Sequence, residues 1–281
     1  MTLRIDSHAH VFRRDLPLTP GARHAPQRDA LLPELLSLFD ASGVTHGVLT
    51  APSFLGTDNS YLLAALAAAP GRLRGTVTVD PTFDRARLEA LDREGVIGIR
   101  FNMLRTPVMH DLRSAPWQRV LADVAALDWH VEIYVEGPRL PALLEPSLAA
   151  GARVVVDHFG SPDPALGVNC PGFSTLLDAV RKGRTFVKLS APYRLGGADP
   201  RPYVDALLDA GGPAQLVWAS DWPFVGHEDS VTYHGYVDDL AAWIPDPQTR
   251  HVVRVDTPAR LFGFDRPRGR SAHDPLEERS P

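Results

Sequence analysis

Short runs of β-branched and aliphatic residues alternate along the chain with longer stretches rich in alanine and leucine. The short runs predict strands over residues 3–7, 46–50, 73–79, 96–101, 130–135, 153–158, 185–190 and 215–220. Between them, apolar positions at helical spacing predict helices over 29–41, 60–69, 83–94, 117–128, 140–150, 172–182 and 202–209. Asp29 is expected in the first turn of the first helix, where a carboxylate suits free N–H groups and the helix dipole. Gly43, Gly71, Gly95 and Gly151 follow helices, where a left-handed cap is often required.

Eight strands alternating with helices predict parallel pairing through right-handed crossovers. Eight such units within 281 residues are what a single α/β domain, a (β/α)8 TIM barrel, needs. A doubly wound open sheet would more often carry a glycine-rich phosphate loop after its first strand. Here that strand ends in Ser7-His8-Ala9-His10. The barrel is expected over residues 1–264, followed by a polar, mobile C-terminal tail over 265–281.

Composition narrows the function classes. With 44% hydrophobic and 22% charged residues, the chain is neither disordered, collagenous nor coiled coil. No apolar stretch approaches the roughly 18 residues needed to span a bilayer. The N-terminus is already polar at Arg4, Asp6 and His8, which leaves no signal-peptide core there. The net charge of -5 offers no long-range attraction to nucleic acid or anionic membrane. Cys170 is the one cysteine, which excludes an internal disulfide and a multi-cysteine metal site. A cytoplasmic protein acting on a small molecule is expected.

Functional groups of such barrels gather at the C-terminal ends of the strands. At those ends lie His8, His10, Ser53, Asp80, Arg100, Asn102, Tyr134, Asp157, His158, Lys188, Ser190 and Asp221. His8 and His10 alternate with Asp6, so the period of two turns both imidazoles to one side. Such a pair binds a metal, or orients an anion and a water. His158 closes the run Val154-Val155-Val156 and arrives at the same face. Asp221 follows an apolar strand, where a carboxylate needs a partner, a metal or a proton. It is a natural general base for a hydrolytic water. Arg100, Arg105 and Arg194 offer guanidinium forks that match carboxylates, and so point to an anionic, dicarboxylate substrate. Tyr134 is placed either to reach the same pocket or to pack, and Lys188 either to act as a functional amine or, as the safer expectation, to pair with a neighbouring carboxylate.

At this point the chain resembles the amidohydrolase superfamily, and within it the amidohydrolase-related (amidohydrolase 2) branch. The resemblance rests on Asp6-Ser7-His8-Ala9-His10-Val11-Phe12 and Pro52-Ser53-Phe54-Leu55-Gly56-Thr57-Asp58-Asn59. It continues through Gly98-Ile99-Arg100-Phe101-Asn102, Val156-Asp157-His158-Phe159-Gly160 and Val187-Lys188-Leu189-Ser190. It ends with Ser220-Asp221-Trp222-Pro223 and Thr257-Pro258-Ala259-Arg260-Leu261-Phe262-Gly263-Phe264. Within the branch it is most similar to the 2-pyrone-4,6-dicarboxylate lactonases of aromatic compound degradation, which hydrolyse a cyclic ester without a metal. The resemblance implies that Asp221 activates water while His8, His10 and His158 position it and bind the lactone carbonyl. It further implies that Arg100, Arg105 and Arg194, with Ser53 and Tyr134, hold the substrate's carboxylates and carbonyl.

Binuclear members of the superfamily need a carboxylated lysine or glutamate near the end of strand four and a histidine near the end of strand five. Here those places hold Arg100 and Tyr134, and His130 lies at the far end of its strand. No cofactor is therefore expected; the alternative is one Zn2+ on His8, His10 and Asp221. That alternative would make the enzyme a zinc lactonase or decarboxylase. A sugar lactonase and a barrel that binds a small acid without turnover are the other rivals. Two segments depart from the pyrone lactonase pattern. Ala22-Arg23-His24-Ala25-Pro26 lacks the expected tyrosine, and Phe224-Val225-Gly226-His227 lacks the expected asparagine.

Overall fold

In the computed structural model the eight expected strands form one parallel sheet in sequential order. They are β1 (Ile5–Ala9), β2 (His46–Thr50), β3 (Leu73–Val77), β4 (Val96–Asn102), β5 (His130–Tyr134), β6 (Arg153–Val156), β7 (Thr185–Leu189) and β8 (Leu216–Trp218). The structure describes residues 3–266, so the tail expected beyond that point lies outside the described residues. The sheet closes past the end of β8. His10 N–H donates to Trp222 O at 2.8 Å, and Asp221 N–H to His8 O at 2.9 Å. Asp6 braces the same seam, its Oδ1 accepting from Ser220 N–H and its Oδ2 from the Tyr233 hydroxyl, each at 2.9 Å. The result is the (β/α)8 barrel that the alternation predicts.

Strand alternation divides the apolar residues between two cores. On β6, Val154 and Val156 pack outward in the main core with the helices, whereas Val155 joins Val48, Phe186 and Val217 in a smaller one. Leu261 and Phe262 belong to this inner core, so the end of the described chain plugs the barrel. Beyond this plug, the strands carry Arg100, Glu132 and Lys188 into mutual contact at full or near-full burial. An apolar plug thus supports a charged layer, and that layer supports the mouth.

Seven helices follow the first seven strands: α1 (Leu32–Ser42), α2 (Ser60–Ala68), α3 (Arg85–Arg93), α4 (Ala115–Ala126), α5 (Pro141–Ala149), α6 (Pro171–Arg181) and α7 (Arg201–Gly211). In α1, Leu32, Leu35 and Phe39 form the buried stripe, and Gly43 ends the helix at φ 68. Asp29 does not cap it. Its Oδ1 accepts from Arg14 N–H at 2.8 Å, and the helix begins three residues later with Pro33 in its first turn. The cause is a two-residue bridge between Phe12 and Ala30, which ties down the ends of a long loop and commits Asp29 to it. Among the described residues, three α-helices lie beyond the predicted ones: α8 (Tyr233–Trp243), α9 (Pro247–His251) and α10 (Thr257–Leu261), with a π-helical turn between the last two. Pro245, Pro247 and Pro258 cut this region into pieces too short for a clear helical period.

Candidate active site

Seven non-glycine residues at the C-terminal end of the barrel adopt left-handed backbone conformations. They are Arg105, His158, Phe159, Ser161, Ala191, Asp221 and Phe224, with φ between 46 and 64. Such a conformation costs about 1–2 kcal/mol per residue, and its concentration at one end of a fold suggests a functional constraint. The same turns bring His158 and Asp221 together over the barrel axis. The resulting cavity is about 1010 Å³.

His10, His158, Asp221, Arg100, Arg105, Arg194, Tyr134 and Ser53 all line that cavity. His8 does not. It lies fully buried beneath the floor, with Nε2 3.1 Å from His10 Nε2. The residues given a role at the site are thus brought to one place, with His8 in a supporting layer; Asp80 does not line the cavity, and its Oδ1 accepts from Thr82 N–H at 2.8 Å instead.

Asp221 occupies the centre and divides its two oxygens. Oδ2 accepts from the Tyr193 hydroxyl at 2.7 Å and from Arg194 Nε and Nη2 at 3.1 Å each. Oδ1 faces three imidazoles: His8 Nε2 at 3.5 Å, His10 Nε2 at 3.6 Å and His158 Nε2 at 3.7 Å. Burial works against the carboxylate charge, but the Arg194 guanidinium and the hydrogen bonds made to the carboxylate outweigh it and hold the carboxyl well below its usual range. His158 is fixed by Ser190 Oγ at 2.7 Å from Nδ1 and by the edge-on ring of Tyr134 at 4.6 Å. Burial pulls its pKa down to about 3, so it is neutral at pH 7.

Under this floor lies a compensated charge layer. Lys188 pairs with Glu132 and lies 3.2 Å from Asp157. Arg100 donates through Nη2 to Asp157 at 2.9 Å and places Nε 3.1 Å from Glu132. Two cations therefore meet two anions, all at most 3% exposed. The expectation that Lys188 would pair with a neighbouring carboxylate is met. Burial opposes ionisation of both acids, and in Glu132 the charge of Asp157 opposes it too; Lys188 and the other nearby cations prevail, holding Glu132 at about 2 and Asp157 below the normal range.

The rim carries a different balance. Arg105 and Arg23 are exposed there, and among the described residues neither guanidinium has a carboxylate partner. Arg23 Nη2 donates to Asn102 Oδ1 at 2.9 Å instead. His24 and His227 also line the cavity, and His227 stacks obliquely on Tyr193 at 4.6 Å. The two segments that depart from the pyrone lactonase pattern thus reach the pocket wall. Tyr193 and Glu132 escaped the sequence reading. Glu132 lies in the middle of an apolar strand, and its charge there is a readable sign of an internal ion pair. Tyr193 gives no such sign, being two residues beyond a left-handed Ala191 that no pattern announces.

By spacing, two trios among the described residues could hold a cation: His8, His10 and Asp221, and His8, Asp157 and His158. In the first, a point about 2.0 Å from all three ligand atoms exists, which is the usual length of a zinc bond to nitrogen or oxygen. None of the described helices is long and apolar enough to cross a membrane.

The family described as amidohydrolase matches residues 5–264. A 4-sulfomuconolactone hydrolase of Hydrogenophaga intermedia is 30% identical over 268 residues, covering 92% of this chain and 88% of its own. A 2-pyrone-4,6-dicarboxylate hydrolase of Comamonas testosteroni is 30% identical over 275 residues, covering 92% and 89%. Among solved structures, a Pseudomonas putida protein carrying the name 2-pyrone-4,6-dicarboxylic acid hydrolase is 40% identical with a TM-score of 0.87, over 94% of this chain and 99% of that one. An Acinetobacter baumannii protein of the same designation, solved with citric acid bound, is 34% identical with a TM-score of 0.85, over 93% and 99%.

Proposed function

Because the chain belongs to the amidohydrolase family and its relatives include lactone hydrolases, we propose that it opens a lactone bearing carboxylate groups by attack of a water activated by Asp221. One observation carries this reading. Asp221 keeps one oxygen engaged by Tyr193 and Arg194, and turns the other, Oδ1, toward three imidazole nitrogens at the cavity floor.

A water beside Oδ1 would give it a proton while its oxygen attacks the lactone carbonyl carbon. The carbonyl then becomes an oxyanion, for which the Tyr134 hydroxyl, the Arg100 guanidinium and the His158 imidazole line the pocket as donors. When the tetrahedral species collapses, the ring C–O bond breaks and the proton on Asp221 passes to the departing oxygen. One water is consumed, and the new carboxylic acid releases its proton to solvent to leave one further carboxylate. Positioned general-base assistance contributes about 10²–10⁴-fold, and each oxyanion donor about 10²–10³-fold. A carboxylate with a lowered pKa stays ionised throughout the neutral range, as a base must.

The rim supports an anionic substrate. Arg105 and Arg23 supply positive charge without carboxylate partners among the described residues, which suits a dianion. The named substrates of both curated relatives bear anionic groups, and citric acid binds the Acinetobacter baumannii neighbour. A neutral sugar lactone would leave these arginines without a role. The spacing of His8, His10 and Asp221 favours a second reading, a mononuclear zinc lactonase; their hydrogen bonding does not.

The test is hydrolysis of 2-pyrone-4,6-dicarboxylate, followed by loss of ring absorbance, beside a neutral sugar lactone under the same conditions. Turnover of the dicarboxylate and not of the sugar lactone is expected. Turnover of the sugar lactone alone rejects the dianion assignment.

A further inference from the structure

The hydrogen bonds around His8 and His10 have a direction, and that direction decides what the pair can bind. His10 Nδ1 lies 2.7 Å from Thr50 O. A backbone carbonyl only accepts, so His10 carries its proton on Nδ1 and presents a lone pair at Nε2. On the other side, Lys188 Nζ lies 2.7 Å from His8 Nδ1. An ammonium only donates, so His8 Nδ1 holds a lone pair and the ring proton is on Nε2. That proton points at His10 Nε2, 3.1 Å away. The chain therefore runs one way: Lys188 to His8, His8 to His10, His10 to Thr50.

The groups around His8 leave little room for the opposite arrangement. Asp157 Oδ1 and Glu132 Oε1 stand 3.4 and 3.5 Å from Nδ1, farther than Lys188. Both oxygens face nearer cations, Asp157 Oδ1 with Lys188 Nζ at 3.2 Å and Glu132 Oε1 with Arg100 Nε at 3.1 Å, so neither needs a proton from His8 Nδ1. Two N–H groups facing each other at 2.7 Å would also repel. A metal-bound histidine uses a lone pair at the ligating nitrogen and donates from the other ring nitrogen to a carboxylate or carbonyl. His10 meets both conditions. His8 meets neither, because its proton stands where the metal bond would form.

We propose that Lys188 is a positioning residue that fixes the His8 proton on Nε2 and thereby withholds the His8, His10 and Asp221 trio from a metal ion. The atoms are spaced for zinc, but one lone pair is missing, so the residues as hydrogen-bonded do not fit the ion. In place of a cation, the trio forms a directed floor that holds His10 Nε2 and Asp221 Oδ1 fixed under the pocket. Without Lys188, His8 could turn its proton to Nδ1 and donate to Asp157 or Glu132, which is the arrangement of a metal ligand.

Two measurements test this, neither using a substrate, so they can fail while lactone hydrolysis stands. The first is a long-range ¹H–¹⁵N correlation spectrum of the full chain labelled in histidine, with His8 and His10 assigned by loss of signals in His8→Gln and His10→Gln. His8 protonated at Nε2 and His10 at Nδ1 are expected; His8 protonated at Nδ1 overturns the proposal. The second is calorimetric titration with zinc chloride. Lys188→Met should bind zinc at least about tenfold more tightly than wild type, within the range by which such outer contacts tune metal affinity. The gain should vanish on adding His10→Gln. Equal affinity of wild type and Lys188→Met overturns the role of Lys188, as does tight zinc binding by wild type that His8→Gln abolishes. Should Lys188→Met fail to fold, the spectrum of the wild type still decides.

Discussion

Arg194 closes on one oxygen of Asp221 and leaves the other free: its Nε and Nη2 both donate to Oδ2, each at 3.1 Å. The sequence reading expects Arg194 to hold a substrate carboxylate. The structure adds a partner inside the protein, so much of the guanidinium charge acts on the proposed base. Arg194→Met should therefore lower kcat by about tenfold or more, beyond any rise in KM. Steady-state kinetics on a dianionic lactone separate the two effects. A variant with a raised KM and an intact kcat would return Arg194 to the role of a substrate clamp alone.

Removing the base is a sharper test. Asp221→Asn keeps the shape and the Tyr193 contact but cannot take a proton. Turnover should fall by at least about a hundredfold with substrate affinity little changed. Single-turnover kinetics would read both, and near-normal turnover would remove Asp221 from the proposed mechanism.

At the rim, Arg105 is exposed and lacks a carboxylate partner among the described residues. Replacing it by Met should cost one charged hydrogen bond to substrate, roughly 1.5–3 kcal/mol, and raise KM for a dianion by about tenfold to a hundredfold. A monoanionic analogue should lose less. An equal loss for both compounds would point to a distorted pocket.

The buried imidazoles set a pH dependence of stability. Burial holds His8 down to about 4 and His158 down to about 3, against 6.5 for an ordinary histidine. As pH falls below 6.5, the unfolded chain takes up protons that the native site refuses. The stability contribution is thus complete above pH 6.5 and is lost progressively down to about 4 for His8 and about 3 for His158. Each group contributes a slope of up to about 1.4 kcal/mol per pH unit in its window. Urea unfolding at pH 7 and pH 5 should show the loss, and His158→Gln should shrink it. An unchanged difference in that variant would place the protons elsewhere.

Glu132 should matter to stability as much as to position. It lies against Lys188 and Arg100 with no exposure. Glu132→Gln leaves those two cations with Asp157 as their remaining anion in the layer, and should destabilise the protein by about 3–5 kcal/mol. Chemical denaturation checks this. A loss below about 1 kcal/mol would mean that water or a rearranged side chain replaces the carboxylate.

Much of the site was legible because a parallel barrel converts chain position into space. Once eight strands are marked, every strand end comes to one mouth, so His10, Arg100, Tyr134, His158 and Asp221 had to meet. Ser53 and Arg105 follow from the same rule, each lying just beyond such an end. Helix starts were less legible, as Asp29 shows, because its loop partner Arg14 competes with the helix for the carboxylate. The helices after β8 were missed because prolines interrupt their period.

The order of elements, the barrel and the lining of the cavity are thus properties of the sequence, since hydrophobic period and strand ends are local. Which partner each charged group takes was decided only in three dimensions. Arg100 turns to Glu132 and Asp157, Arg194 to Asp221, and Lys188 to His8 as well as to two acids. Those choices depend on distances of a few ångströms between strands far apart in the chain, and on burial that makes an unpaired charge costly. Periodicity carries neither quantity; closure of the barrel supplies both.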